Sequence, residues 1–205
     1  MTRWLLPLGL LAALAGYFGP WVDHRVAGLV ITGLDLGEYV KFLPVVRDGS
    51  VALWRPSFYA PLVAISVAAL LAAYRTDTSY RWWLRVPLLA LATIAALNLV
   101  PPAWTPTRLL EPEFRWQTSS LLLLLIGVAC APLLALLPHR IVALLVTLLA
   151  LCGIAAPTYG MWRVLPSIES LYSHSLVPGW GLWLMVAGLI ITLLSYWRLP
   201  AQQRP

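Results

Sequence analysis

Along this chain of 205 residues, apolar positions gather into long runs and the polar ones are confined to the gaps between them. The runs show no strict alternation and are too long for buried strands, so the elements they predict are helices. Six of them approach the roughly 20 residues a helix needs to cross about 30 Å of hydrocarbon. They cover residues 4–22, 59–74, 82–100, 120–137, 141–156 and 180–197. The expected fold is therefore an all-α integral membrane protein, a bundle of about six transmembrane helices formed by one polytopic domain over residues 1–205.

A seventh stretch, residues 26–46, has a different pattern. At about 100° per residue, Asp35, Glu38 and Lys41 share one face, and Leu29, Leu36, Val40 and Leu43 fall on the other. This predicts an amphipathic helix after the first span, lying in the interface or re-entering the membrane; if it crosses, the spans number seven. Its glycines, Gly28, Gly33 and Gly37, suit a broken or closely packed helix.

Small residues mark the faces on which helices should meet. Gly9, Ala13 and Gly16 lie on one side of the first span, and Ala60, Ala64, Ala68 and Ala72 recur every four residues along the second. Such spacing lets membrane helices approach closely. An A-x-A pattern at Ala13 and Ala15 also fits a signal-peptide cleavage site, but the apolar run continues to Trp21. The segment is read as a span.

Between the runs, Pro101 and Pro102 end the third span, and the loop to Ser119 holds further prolines that oppose regular helix. Pro132 is placed as a kink in the fourth span. Residues 157–178 are expected to be a loop, with residues 167–175 forming at most a short surface helix. All eleven tryptophans fall at or just beyond a span end, where indole prefers the headgroup boundary.

Composition strengthens this picture. Hydrophobic residues make up 60% of the chain and charged residues 11%, and the mean hydropathy is +0.81. The net charge of +6 does not imply nucleic acid, because the bases stand singly at run ends. The termini and short turns carry seven arginines against Asp77 alone, and the long connections carry seven bases against seven acids. Basic density thus puts both termini in the cytoplasm of a multi-pass cell-membrane protein, and the long loops outside.

Catalytic chemistry finds little support. His24, His139 and His174 are dispersed, so no metal site is expected, and no cofactor; Asp23 with His24 is the nearest approach to a pair. Ser173, His174 and Ser175 offer a nucleophile and a base but no nucleophile elbow, and no phosphate-cradling glycine loop occurs. Cys130 and Cys152 are read as small buried hydrophobes. Asp35, Glu38, Lys41, Asp23 and His24 therefore remain the candidates for transport or interaction, since ionisable groups near an apolar core usually mark a path or a contact. The expected function is non-catalytic: an accessory or structural subunit of a larger membrane complex, its partners the lipid bilayer and other membrane subunits. The alternative is a small transport component that binds a solute or ion under the outer loops, with Asp35 and Glu38 in the path.

Overall fold

The fold is described from a computed structural model, over residues 2–22, 30–101, 105–173 and 175–199. Helix dominates. α1 is Thr2–Phe18, and a short antiparallel pair follows, β1 (Pro20–Val22) with β2 (Ile31–Thr32). α2 (Gly33–Tyr39) runs into a 3-10 turn, Val40–Phe42, and then α3 (Pro44–Arg47). A second 3-10 turn, Arg55–Tyr59, opens directly into α4 (Ala60–Ala73). The remaining helices are α5 (Trp82–Leu97), α6 (Arg115–Ala129), α7 (Ala131–Leu134), α8 (His139–Tyr172) and α9 (Trp180–Arg198).

α4 is the axis of the bundle. Its Leu and Ala side chains are buried almost all round, and α1, α5, α6, α8 and α9 pack about it. Ala64, Ala68 and Ala72 are buried and Ala60 half-buried. A Cβ on Gly153 of α8 would stand 3.3 Å from the Ala64 Cβ, and Tyr196 of α9 donates its hydroxyl to Ala68 O at 2.7 Å. Ser66 Oγ likewise donates to Ala92 O of α5 at 2.9 Å, so a polar atom buried in the bundle still has its partner.

α1 and α9 meet closest of all. Gly9, Ala13 and Gly16 face Gly181, Met185 and Gly188 with backbone against backbone. A Cβ on Gly16 would run into Met185 N and stand 2.7 Å from Gly181 O; one on Gly188 would stand 2.6 Å from Gly9 O. Only glycine permits that approach.

Three helices are long and apolar enough to cross a membrane: Arg55–Ala73, His139–Tyr172 and Trp180–Arg198. α1 and α5 are apolar but shorter. The bundle's outside is as greasy as its core, with Leu8, Leu11, Leu123, Leu148 and Ile190 all exposed. Monomeric soluble proteins rarely expose apolar patches beyond a few hundred Å².

Several boundaries differ from the sequence expectation. The proposed loop over 157–178 is mostly helix, because α8 continues through Pro157 and Pro166 to Tyr172. Each proline costs about 3 kcal/mol in a helix interior. Burial of Pro157, Gly160, Met161, Val164, Leu165 and Ile168 along one stripe, against Phe58 and its neighbours, outweighs that cost. α6 begins at Arg115, inside the expected loop, and the chain breaks at Cys130 before α7 rather than kinking at Pro132. Of the amphipathic segment expected over 26–46, residues 26–29, with Gly28 and Leu29, lie outside the described residues, and helix in the rest begins at Gly33. Thr32 caps its start, and Leu43 is held extended before Pro44.

Two single-residue expectations also change. Cys152 is exposed, since it lies on the outer flank of α8, and Cys130 is half-buried. Trp21 is fully buried instead of lying in a boundary belt, because its indole N–H donates 3.1 Å to Gly16 O and closes the end of α1.

Adding one methyl at the α1–α9 contact should be costly. Gly16→Ala must push two backbones apart, and a loss of about 1–3 kcal/mol is expected from overpacking. Gly127→Ala meets only the end of the Leu70 side chain, at 3.0 Å, and no backbone, so it should cost less. Thermal unfolding of the two variants in detergent checks this; equal stability would show that the helices yield freely.

Candidate functional site

The bundle has two ends, and its ionic groups collect at both. At the end bearing the chain termini, Arg75 and Asp77 form a buried ion pair in the α4–α5 turn. The same Asp77 oxygen lies 3.2 Å from His139 Nδ1 at the start of α8, and Arg75 Nη1 donates 3.0 Å to Leu137 O. Thr78 adds a hydroxyl donated to Arg75 O at 2.8 Å. Both short turns are thereby tied together. This cluster is closed, with Arg75 and Thr78 donors matched to the Asp77 carboxylate and to backbone carbonyls.

The other end is open. There α2 rests on aromatic rings through its glycines. A Cβ on Gly33 would stand 2.8 Å from the Trp21 indole and 3.0 Å from the Tyr17 ring, and one on Gly37 would stand 2.9 Å from the Tyr59 ring. Leu36, Val40 and Leu43 are buried beneath. That seating fixes which way α2 is turned, and so where its acids point.

Asp35 does two things. Its Oδ2 accepts from Thr32 N at 3.1 Å and from the Thr32 hydroxyl at 2.7 Å, while Thr32 Oγ1 accepts from Asp35 N at 3.2 Å. This is a capping box, with the acid also favoured at a helix start. Its other oxygen takes no hydrogen bond among the described residues. Glu38 is held from two sides: Tyr59 donates its hydroxyl to Oε1 at 2.6 Å, and Lys41 Nζ stands 2.6 Å from Oε2. The Lys41 ammonium also lies over the Phe42 ring, 5.3 Å from its centre. Asp23 and His24 lie outside the described residues.

Leu34, Asp35 and Glu38 of α2, Tyr59 at the entry to α4, and Leu97, Asn98 and Val100 at the end of α5 enclose a cleft of about 480 Å³. Its wall is mainly apolar with a few convergent polar groups, and its volume falls in the range of small-molecule sites, about 300–1,000 Å³. Behind Tyr59, the almost fully buried Gln117 of α6 hydrogen-bonds to the tyrosine hydroxyl, and its own Oε1 has no partner among the described residues. Tyr17 OH is buried and likewise has no partner among the described residues. Orphan polar atoms are uncommon in native interiors.

Neighbouring contacts hold the cleft's frame. Arg55 Nη1 pairs with Glu113 Oε1 at 2.8 Å, and Trp54 meets Trp116 edge to face at 5.9 Å, which joins the entry of α4 to that of α6. Tyr39 bonds to Tyr172 at the end of α8, and burial together with that bond pushes its hydroxyl up to about 12. Asp48 is exposed and plays a local part: the Ser50 hydroxyl and N–H hold its carboxyl below the ordinary value in a turn at Gly49.

Sequence reasoning picked out Asp35, Glu38 and Lys41 but not Tyr59, Asn98 or Gln117. Tyr59 reads as a boundary aromatic, and Gln117 falls within the proline-rich loop. The T-x-x-D spacing of Thr32 and Asp35 was the one legible signal that Asp35 caps a helix. Comparison with protein-family models, curated proteins and solved structures gives no match.

The closed cluster is the sharper stability test. Asp77→Asn leaves the Arg75 guanidinium buried and without its charge partner, a change that typically costs about 3–5 kcal/mol. Denaturant unfolding in detergent should show a loss of that size, and a loss under 1 kcal/mol would mean that the turns hold without the ion pair.

Proposed function

We propose that this chain is a multi-pass protein of the cell membrane, a small transport component that binds a solute in the cleft between α2 and the end of α5. In this reading six segments cross the bilayer: α1, α4 with its 3-10 entry, α5, α6 with α7, α8 and α9. The termini and the Arg75–Asp77–His139 cluster lie at the cytoplasmic side, and α2 lies at the outer surface. The carrying observation is the cleft itself, about 480 Å³ of mainly apolar wall into which Asp35, Glu38, Tyr59 and Asn98 converge. Charge density supports the orientation. Glu38 and Asp35 then stand at the solute's point of contact.

An accessory role in a larger complex keeps one specific support. Only 33% of the apolar window of α8 is buried, although the helix has 34 residues and is about 51 Å long at 1.5 Å per residue. Its open flank suits a partner helix as well as lipid.

Two measurements test these readings. The tagged protein, purified from its native membrane in mild detergent, should retain a small molecule detectable by mass spectrometry. Leu97→Trp, which fills the cleft from the last residue of α5, should lose it. Identical small-molecule content in both proteins would overturn the solute reading, and stoichiometric partner proteins would establish the accessory one. For the orientation, Ser50→Cys should react with a membrane-impermeant maleimide added outside intact cells. Labelling only after the cytoplasmic face is opened would invert it.

A further inference from the structure

We infer that the cleft takes an amphipathic organic cation, a protonated amine on an apolar body, and that Lys41, from outside the cleft's lining, competes with that amine for Glu38. This rests on the solute-binding reading above and specifies its ligand.

Charge comes first. Among the described residues the cleft's lining holds two carboxylates, Asp35 and Glu38, and no lysine or arginine. Asn98, the C-cap of α5, also lines the cleft, so the negative end of that helix's dipole lies near it, although Ile94 O, Ala96 O and Leu97 O already accept hydrogen bonds within the turn. Both features favour a cation. An anionic solute would meet repulsion from each.

Glu38 already shows what it holds. The Lys41 ammonium is 2.6 Å from Oε2 and 5.3 Å from the centre of the Phe42 ring. Tyr59, hydrogen-bonded in turn to Gln117, donates to Oε1 and so fixes the carboxylate as an acceptor in one orientation. Carboxylate and aromatic face together make a common setting for an ammonium. Lys41 is three residues from Glu38 and both side chains are partly exposed, so the pair is weak and exchangeable. The Asp35 oxygen that takes no hydrogen bond among the described residues offers a second acceptor.

The size and character of the wall decide between a bare ion and an organic one. A volume of about 480 Å³ between Leu34, Leu97 and Val100 far exceeds an inorganic ion. The carboxylates occupy only part of the wall, and the apolar remainder accommodates hydrocarbon that a bare ion would not supply. A primary amine with a short aliphatic or aryl tail satisfies both parts of the site.

The test uses the full chain in lipid nanodiscs at pH 7, with hexylammonium, hexanol and hexanoate as probes, and counts only binding that Leu97→Trp removes. Hexylammonium should bind about tenfold or more tightly than either analogue, the difference expected of one charge-assisted contact. Glu38→Gln should abolish that preference. Lys41→Met should tighten hexylammonium several-fold, because the internal competitor is gone; a purely structural Glu38–Lys41 pair would give no gain. Weaker hexylammonium binding in Lys41→Met, or a preference for hexanoate or hexanol that Leu97→Trp removes, would overturn the cation and leave the cleft a solute site. Binding of no probe, or binding that Leu97→Trp leaves unchanged, would also overturn the cation, and the retained small molecule would then decide the cleft reading separately.

Discussion

A bundle whose outside is as apolar as its inside gains little by burying one leucine against another, because in the proposed membrane setting the lipid offers the same contact. What holds such helices together is shape: how closely two backbones approach, and how many dispersion contacts that approach creates. The α1–α9 seam meets this constraint through Gly9, Gly16, Gly181 and Gly188, each placed where a Cβ would collide with backbone. α4 meets it through buried alanines and small residues on its neighbours. The rest of the architecture follows from these two seams. They set the positions of the helix ends, and with them the sites where polar groups can gather.

The same constraint explains why ionic chemistry is exported to the two ends. A charge placed mid-bundle would lose its hydration without an aqueous route to recover it. At the end bearing the termini the solution is closure, with Arg75, Asp77, His139 and two backbone carbonyls satisfying one another. At the far end closure is incomplete. Glu38 is tethered, but Asp35 keeps a free oxygen among the described residues and Gln117 an orphan one, beside a cleft large enough for a small molecule.

The helices and their seams were legible in the sequence because both depend on local composition. Long apolar runs give helix, and glycine or alanine at three- and four-residue spacing gives a contact face. Proline misled in both directions. In α8 it signalled a loop that tertiary burial overrode, while Pro44 ended the amphipathic segment at Leu43 as backbone sterics require. Half of the cleft was legible, since a carboxylate inside an apolar stretch attracts notice. Its other half comes from Tyr59, Asn98 and Gln117, which lie 21 or more residues away from Glu38 and meet it only through helix packing. No local pattern encodes that meeting.

The cleft is also built from the least self-sufficient helix in the chain. α2 has seven residues, too few to be stable alone, and depends on a cap at Thr32, two glycine seats on aromatic rings and the Tyr39–Tyr172 bond. Elements held by few contacts open at lower free energy than a buried axis such as α4. One wall of the cleft is therefore soft and the opposite wall, Tyr59 and the end of α5, is anchored in the bundle. In the proposed solute reading, drawing Glu38 away from Lys41 acts on the soft wall, which the Tyr39–Tyr172 contact joins to the end of α8.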